Sequence, residues 1–257
     1  MAESTLILHR GSREVAHEEL ASLPCPERTK TWAPVGHARV LNTALATLNE
    51  AGYTVAKMRL GLSPDNGRFF GSLDLATPLT PDGGVGLAVG LRNSIDKTFP
   101  MGFCAGSRVF VCDNLAFRSD LMVRRKHSLN GIAHFSADIA TAVMQLASFK
   151  EAEMHRIAAM IDAAMPDERA DSLILRAAVD RGIIPLRLIP HVVREWKEPQ
   201  HELFQPRNSF SLYNAFTAAL GTLQQSNPAE LARRTMRLSA LLSPSTVIDA
   251  PSTALAV

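Results

Sequence analysis

Two short turn signals, Pro64-Asp65-Asn66-Gly67 and Pro81-Asp82-Gly83-Gly84, constrain the fold of this chain more tightly than any other feature. Each joins strand-like runs too closely for a helix to cross between them, and Asn-Gly supplies the positive φ angles of tight hairpins. Residues 53–62 alternate in part through Val55, Met58 and Leu60, and residues 68–76 form the return strand. Residues 85–92 make a third strand. Residues 101–112 make a fourth, or a fourth and fifth with Gly106-Ser107 as a bulge or bend. Connections this short select an antiparallel meander over about 53–127 rather than alternating βαβ units.

Helical periodicity brackets the sheet. Before it, Val40, Leu41, Leu45 and Leu48 give residues 37–51 an apolar face, with Gly52 at the stop. After Asn130-Gly131 comes the stripe Ile132, Phe135, Ile139, Val143, Leu146, Lys150, Met154, Ile157 and Ile161, with Lys150 its single polar break. This spacing predicts one helix of about 30 residues, or two in line, ending before Pro166. Further helices are expected at 169–181, capped by Gly182, and at 186–197, 209–223 and 229–242, the last started by Asn227-Pro228. Residues 1–31 lack sustained periodicity and contain Pro24-Cys25-Pro26, which predicts a flexible N-terminal arm; residues 243–257 read as a mobile tail. The expected fold is therefore α+β. A single domain over 32–242 holds an N-terminal helix, an antiparallel meander over 53–127, and a long helix leading a helical region over 132–242.

At 257 residues, 46% of them hydrophobic, the chain can bury a sizeable core. No apolar run approaches the ~20 residues that span a bilayer, and the first apolar stretch is too short for a secretory signal. Cys25, Cys104 and Cys112 are an odd and sparse set, as in a reduced cytoplasmic protein.

Motifs for chemistry are missing. Cys104 and Cys112 are too far apart for a zinc pair, and His127 and His134 flank a Gly-containing turn, so structural cysteines and surface histidines are expected. Gly102-Phe103-Cys104-Ala105-Gly106 continues as strand where a nucleophile elbow would enter a helix. Gly83-Gly84-Val85-Gly86 lacks the trailing Lys-Ser/Thr of a phosphate loop. Asp65, Asp74, Asp82, Asp96, Asp113 and Asp120 are scattered, with no D-x-D or E-x-K pattern. No catalytic residue, metal ligand or cofactor is assigned.

Basic residues give the positive signal. From Arg92 to His127, Arg92, Lys97, Arg108, Arg118, Arg124, Arg125 and Lys126 stand against Asp96, Asp113 and Asp120. That segment carries +4, while the whole chain carries +2, so the remainder is slightly acidic. Such asymmetry lets a near-neutral protein present a phosphate-binding stripe. Phe99, Phe103, Phe110 and Phe117 are interleaved with it, as in surfaces that stack single-stranded nucleic acid. Taken alone, these aromatics read as core. A solvated strand edge accounts equally well for Arg124-Arg125-Lys126. Arg233, Arg234 and Arg237 form a weaker cluster on the last helix, and Asn214 reads as a structural hydrogen-bonding residue.

Four segments together resemble a known family. They are Trp32-Ala33-Pro34-Val35, Asn93-Ser94-Ile95-Asp96-Lys97, Arg108-Val109-Phe110-Val111-Cys112-Asp113-Asn114, and Ser209-Phe210-Ser211-Leu212-Tyr213-Asn214-Ala215-Phe216-Thr217. In this order the chain, over roughly residues 30–240, is similar to the phage/plasmid-like domain-of-unknown-function family of prophages, plasmids and integrated islands. Thr98 and Phe210 depart from its serine and tryptophan. The resemblance implies a task in mobile-element DNA metabolism or defence evasion. The order of elements also resembles, at fold level, the Rad-type annealing proteins, which hold single-stranded DNA in a basic groove as rings or arcs.

Three functions are then expected in order. The first is a non-enzymatic protein that binds or anneals single-stranded DNA as a homo-oligomer, with Arg92, Lys97, Arg108, Arg118, Arg124, Arg125 and Lys126 on phosphates and Asn93 and Asn114 shaping turns or donating to the backbone. The second is a protein that binds a host defence or regulatory protein through its helices. The third is a metal-dependent nuclease.

Overall fold

Six strands form one antiparallel meander whose spatial order is its sequence order, in a computed structural model that describes residues 12–109, 114–222 and 228–242. At 108, 109, 114–120 and 228–232 the backbone alone is described. The strands are β1 (Arg13–Glu14), β2 (Val55–Leu62), β3 (Arg68–Pro78), β4 (Val85–Ser94), β5 (Met101–Val109) and β6 (Asn114–Arg125). Both expected turns are present. Asn66 takes φ 54° while Asp65 Oδ1 accepts from Gly67 N at 3.1 Å, and Gly83 takes φ 71° beside an equivalent bond from Gly84 N to Asp82. The bend read at Gly106-Ser107 is a register shift between Cys104 and Gly106 against β6.

The helices are α1 (His17–Ser22), α2 (His37–Glu50), α3 (Gly131–Met144), α4 (Leu146–Asp162), α5 (Asp167–Leu175), α6 (Ile189–Lys197), α7 (Ser209–Gly221) and α8 (Pro228–Leu241), with a π-helical turn at Arg176–Asp180. Gly182, at φ 54°, ends that turn where a helix stop was expected. Of these, α2 packs on β4 and α3, α7 and α8 pack on β6. Asn93 shows which sheet face they cover: it shares a cross-strand row with Phe69 and Leu62 and bonds His37 at the start of α2. Leu60, Leu73, Leu87, Val89, Leu91, Phe103 and Ala105 are buried in the same core, with Val40, Leu41, Ala44 and Leu48 of α2.

Two expectations need correction. The N-terminal arm is not loose over residues 13–22. Arg13 and Glu14 pair with Leu62 and Gly61 at the edge of β2, and Val15 and Leu20 are buried. Elements this short carry too few residues for a period to register. Residues 1–11 of the arm and the tail over 243–257 lie outside the described residues.

The apolar stripe also resets. Gln145 interrupts the helix at φ −87°, ψ −6°, and α4 buries Leu146, Phe149, Glu153, Ile157 and Met160. Lys150, Met154 and Ile161 therefore lose their expected place to Phe149, Glu153 and Met160, one position earlier, and Met154 and Ile161 are exposed. The carboxylate thus buried is held by Arg156, whose Nε donates to Glu153 Oε2 at 2.9 Å and whose guanidinium lies 5.4 Å from the Tyr213 ring centre. No helix among the described residues is long and apolar enough to cross a membrane.

Candidate nucleic-acid interface

Strand alternation sorts the basic segment onto two faces. Arg92 and Asn93 are neighbours in β4, so their side chains leave opposite sides of the sheet. Asn93 points to the helices and is fully buried; its Nδ2 donates to Val35 O at 2.7 Å and to His37 Nδ1 at 3.0 Å. It joins sheet to helix and offers no surface to a phosphate.

The same alternation separates Arg124 from Arg125. Arg125 pairs across the sheet with buried Met101 and makes a two-pronged ion pair with Asp138 of α3, one arm being Nη2 to Oδ1 at 3.0 Å. Each partner moves the other in the favourable direction, the guanidinium up and the carboxyl down. Arg125 is thereby already neutralised. Arg124 sits in the row Phe70–Arg92–Gly102–Arg124, on the face away from the helices.

That row is a basic site with a floor. A Cβ at Gly102 would lie 2.9 Å from both Cγ and Nε of Arg92, so the arginine side chain occupies the space that glycine leaves. Arg92 lies 5.4 Å from the centre of the Phe99 ring, which is tilted against Phe70 at 5.3 Å. Burial and then the charge of Arg124 hold its guanidinium below the ordinary arginine value, and nearby Cys104 offsets this only in part. Neither Arg92 nor Arg124 has a carboxylate partner among the described residues; Arg124 Nε contacts Met122 Sδ at 3.1 Å. Two unneutralised guanidiniums, one half-buried, create a local demand for an anion.

Lys97 stands on the loop between β4 and β5 at φ 68°, with Nζ 4.7 Å from the Trp32 ring centre. Asp96 in that loop pairs with Arg68 at 3.4 Å, which leaves Lys97 as the loop's unpaired charge. Lys126 is exposed just beyond β6. Arg92, Lys97, Arg124 and Lys126 are the described members of the expected set that lack an acidic partner. For Arg108, Asn114 and Arg118 only the backbone is described: Arg108 is in register with Gly86 and Leu115, and Asn114 with Val109. The side chains of Phe110 and Phe117, and Cys112 and Asp113, lie outside the described residues.

Sequence reasoning placed other residues with mixed success. Phe103 is core and Phe99 is a half-exposed platform. His127 is buried, not at the surface, and accepts from Val35 N at 3.2 Å. Arg234 and Arg237 donate to the carbonyls of Ile183 and Arg181, just past the π-helical turn, and so fasten α8, while Arg233 and Arg237 remain exposed. Asn214 is buried, donating to Phe210 O at 2.9 Å, in keeping with a structural role. Trp32 was singled out only as part of a motif; its contact with Lys97 joins residues far apart in sequence, and no local signal reports it.

Among the described residues, no three His, Cys, Asp or Glu side chains are grouped to hold a metal ion. Comparison with known proteins found no matching family model, no matching curated protein and no matching solved structure.

Proposed function

We propose that this protein binds single-stranded DNA, and anneals it as an oligomer, through the sheet face that carries Arg92 and Arg124. The observation that supports this most is the pairing of these two arginines across Gly102 without an acidic partner among the described residues. Buried or half-buried cations are normally paired, because an uncompensated charge removed from water is costly. A phosphodiester supplies the missing anion, and guanidiniums suit two-pronged contact with its oxygens. Phe99 beside Arg92 and Trp32 beside Lys97 place aromatic rings within reach of the same cations. Cations interleaved with aromatics suit a strand whose bases are unstacked better than a duplex. The motif resemblance to mobile-element proteins gives this activity a setting in DNA recombination.

Fluorescence anisotropy with a labelled single strand and the matched duplex, titrated across salt, tests the proposal. Salt-sensitive binding that prefers the single strand supports it and calls for an annealing assay and a measurement of oligomeric mass by light scattering. No binding at low salt overturns it.

A second reading, capture of a host protein, draws on the helical side. Leu175, Val179 and Leu186 are more than half exposed there, at 54%, 65% and 64%. Co-purification of nucleic acid or of a protein from cells distinguishes the two.

A further inference from the structure

The segment that carries Trp32 is fastened by a network that works only while two histidines are uncharged. His37 Nε2 lies 2.9 Å from Asn66 O, a carbonyl that can only accept, so the ring proton is on Nε2 and Nδ1 is bare. Nδ1 takes one hydrogen of the Asn93 amide at 3.0 Å, and the other hydrogen goes to Val35 O at 2.7 Å. Val35 N donates to His127 Nδ1 at 3.2 Å, which fixes that ring in the same tautomer, and Ala33 N donates to His127 O at 3.3 Å. Val35 is therefore held through both of its backbone polar groups, its N–H by His127 and its carbonyl by Asn93, whose amide also bonds His37. The network is dry: Asn93 is 0% and His127 7% exposed.

We propose that residues 29–36 form an acid-released latch, in which protonation of His37 and His127 detaches the segment bearing Trp32 and parts its ring from Lys97. A proton on His127 Nδ1 sets one N–H against another at Val35. A proton on His37 Nδ1 sets an N–H against the Asn93 amide hydrogens. Turning the Asn93 amide over would bring its Oδ1, which has no hydrogen-bond partner, to the charged ring, but would then press that oxygen against Val35 O. No side-chain rearrangement keeps both contacts.

The charged surroundings do not rescue the protonated state. Near His37 stand Asp96 of the β4–β5 loop, already paired with Arg68 of β3, and the neutral Phe69 ring at 5.7 Å. Near His127 the titratable neighbour is His37 itself. Burial holds both rings below the ordinary histidine value of 6.5; at His37 the bond to Asn66 O and then the charge of Asp96 oppose it in part, and at His127 the charge of His37 adds to it. Once released, the rings regain ordinary values. The histidines' contribution to closure is then complete above about pH 6.5 and shrinks as pH falls below it, with two protons steepening the loss. This does not depend on what the basic face binds.

Trp32 reports the latch directly. In a Trp196→Phe variant it is the remaining tryptophan, and its emission and acrylamide quenching are followed from pH 8 to 5 beside far-ultraviolet circular dichroism. The expected result is a severalfold rise in quenching below about pH 6.5 at unchanged dichroism. In a further His127→Asn change, whose side-chain oxygen accepts from Val35 without titrating, the rise should be smaller and shallower. Flat quenching, quenching that rises only together with loss of dichroism, or an unaltered profile in the His127→Asn variant overturns the latch. Should Trp196→Phe not fold, hydrogen exchange of the peptide over 29–36 in the natural chain reads the same event. Loss of protection confined to that peptide below about pH 6.5, taken relative to the intrinsic exchange rate at each pH, supports it, and protection that stays constant overturns it.

Discussion

Arg92 and Arg124 stand in one cross-strand row with only Gly102 between them, which by ordinary strand spacing puts their backbones about 10 Å apart. The glycine lets the Arg92 side chain lie on the sheet toward Arg124. A Cβ there would meet Arg92 Cγ and Nε at 2.9 Å and push the guanidinium away. Gly102→Ala should therefore weaken single-strand binding severalfold while changing stability by less than about 1 kcal/mol, since alanine also restricts the unfolded chain. Anisotropy and thermal melting of one preparation check both halves. Unchanged affinity with an unchanged melt would remove the row from the binding site.

Pairing state separates the arginines more sharply than position in the sequence does. Replacing Arg92 and Arg124 together with Ala should lower the dependence of log affinity on log salt by about 0.7 for each phosphate that is no longer neutralised. Arg125→Ala, despite being the neighbouring residue, should leave that slope near its natural value, because Asp138 already takes its charge. Equal effects from the two replacements would sink the assignment of faces.

Much of the fold was legible because turn chemistry is local. Pro64–Gly67 and Pro81–Gly84 declare their hairpins in four residues each, and short connections leave few ways to arrange the strands. The reset at Gln145 was not legible, since a continuous stripe through Lys150 and Met154 fits a helix period as well as the real one does. What decides is Arg156, which makes burial of Glu153 tolerable. At the site, the run of cations was visible but its sorting was not. Alternation puts Arg92 and Arg124 on one face only once the register of β4, β5 and β6 is known, and the neutralising Asp138 comes from a helix beyond the sheet. Asn93 and His127 were misplaced for a related reason: polar residues at strand ends look solvent-facing until a distant segment, here Val35, supplies their partners.

Asn93→Ala tests that correction. The change removes both bonds that tie β4 to Val35 and His37 and leaves a buried carbonyl and ring nitrogen unmet, at a cost of about 1–3 kcal/mol. In a chain of this size that corresponds to a melting temperature lower by several degrees. A variant that melts normally but loses DNA affinity would return Asn93 to the binding surface.

Cys104 should be chemically silent. Burial pushes its thiol up to about 12, against the weaker pull of the Arg92 charge, and Sγ donates to Gly90 O at 3.7 Å. At pH 8 roughly a thousandfold fewer Cys104 side chains are thiolates than for an ordinary cysteine. Iodoacetamide should then label exposed Cys25 first, and Cys104 only after unfolding in urea. Mass spectrometry of the labelled peptides decides; rapid native labelling of Cys104 would mean that its strand opens readily.

Acid should destabilise the protein in two stages. Burial holds His37, His127 and His191 below the ordinary value of 6.5, with Arg194 adding to the effect at His191. The unfolded chain therefore binds more protons than the folded one once pH drops below about 6.5. Their contribution to stability is complete above that value and shrinks as pH falls toward the depressed folded values. Asp65, Asp82 and Asp138 are lowered from 3.8 by hydrogen bonds from Ser63, Thr80 and Arg125 respectively. These carboxylates are charged in both states at pH 6 and withdraw their support only below about 4. Melting temperature should fall between pH 6.5 and 5, level off, and fall again in stronger acid. A melt that stays constant from pH 8 to 5 would mean that the buried histidines titrate normally, and that the Val35 network tolerates their charge.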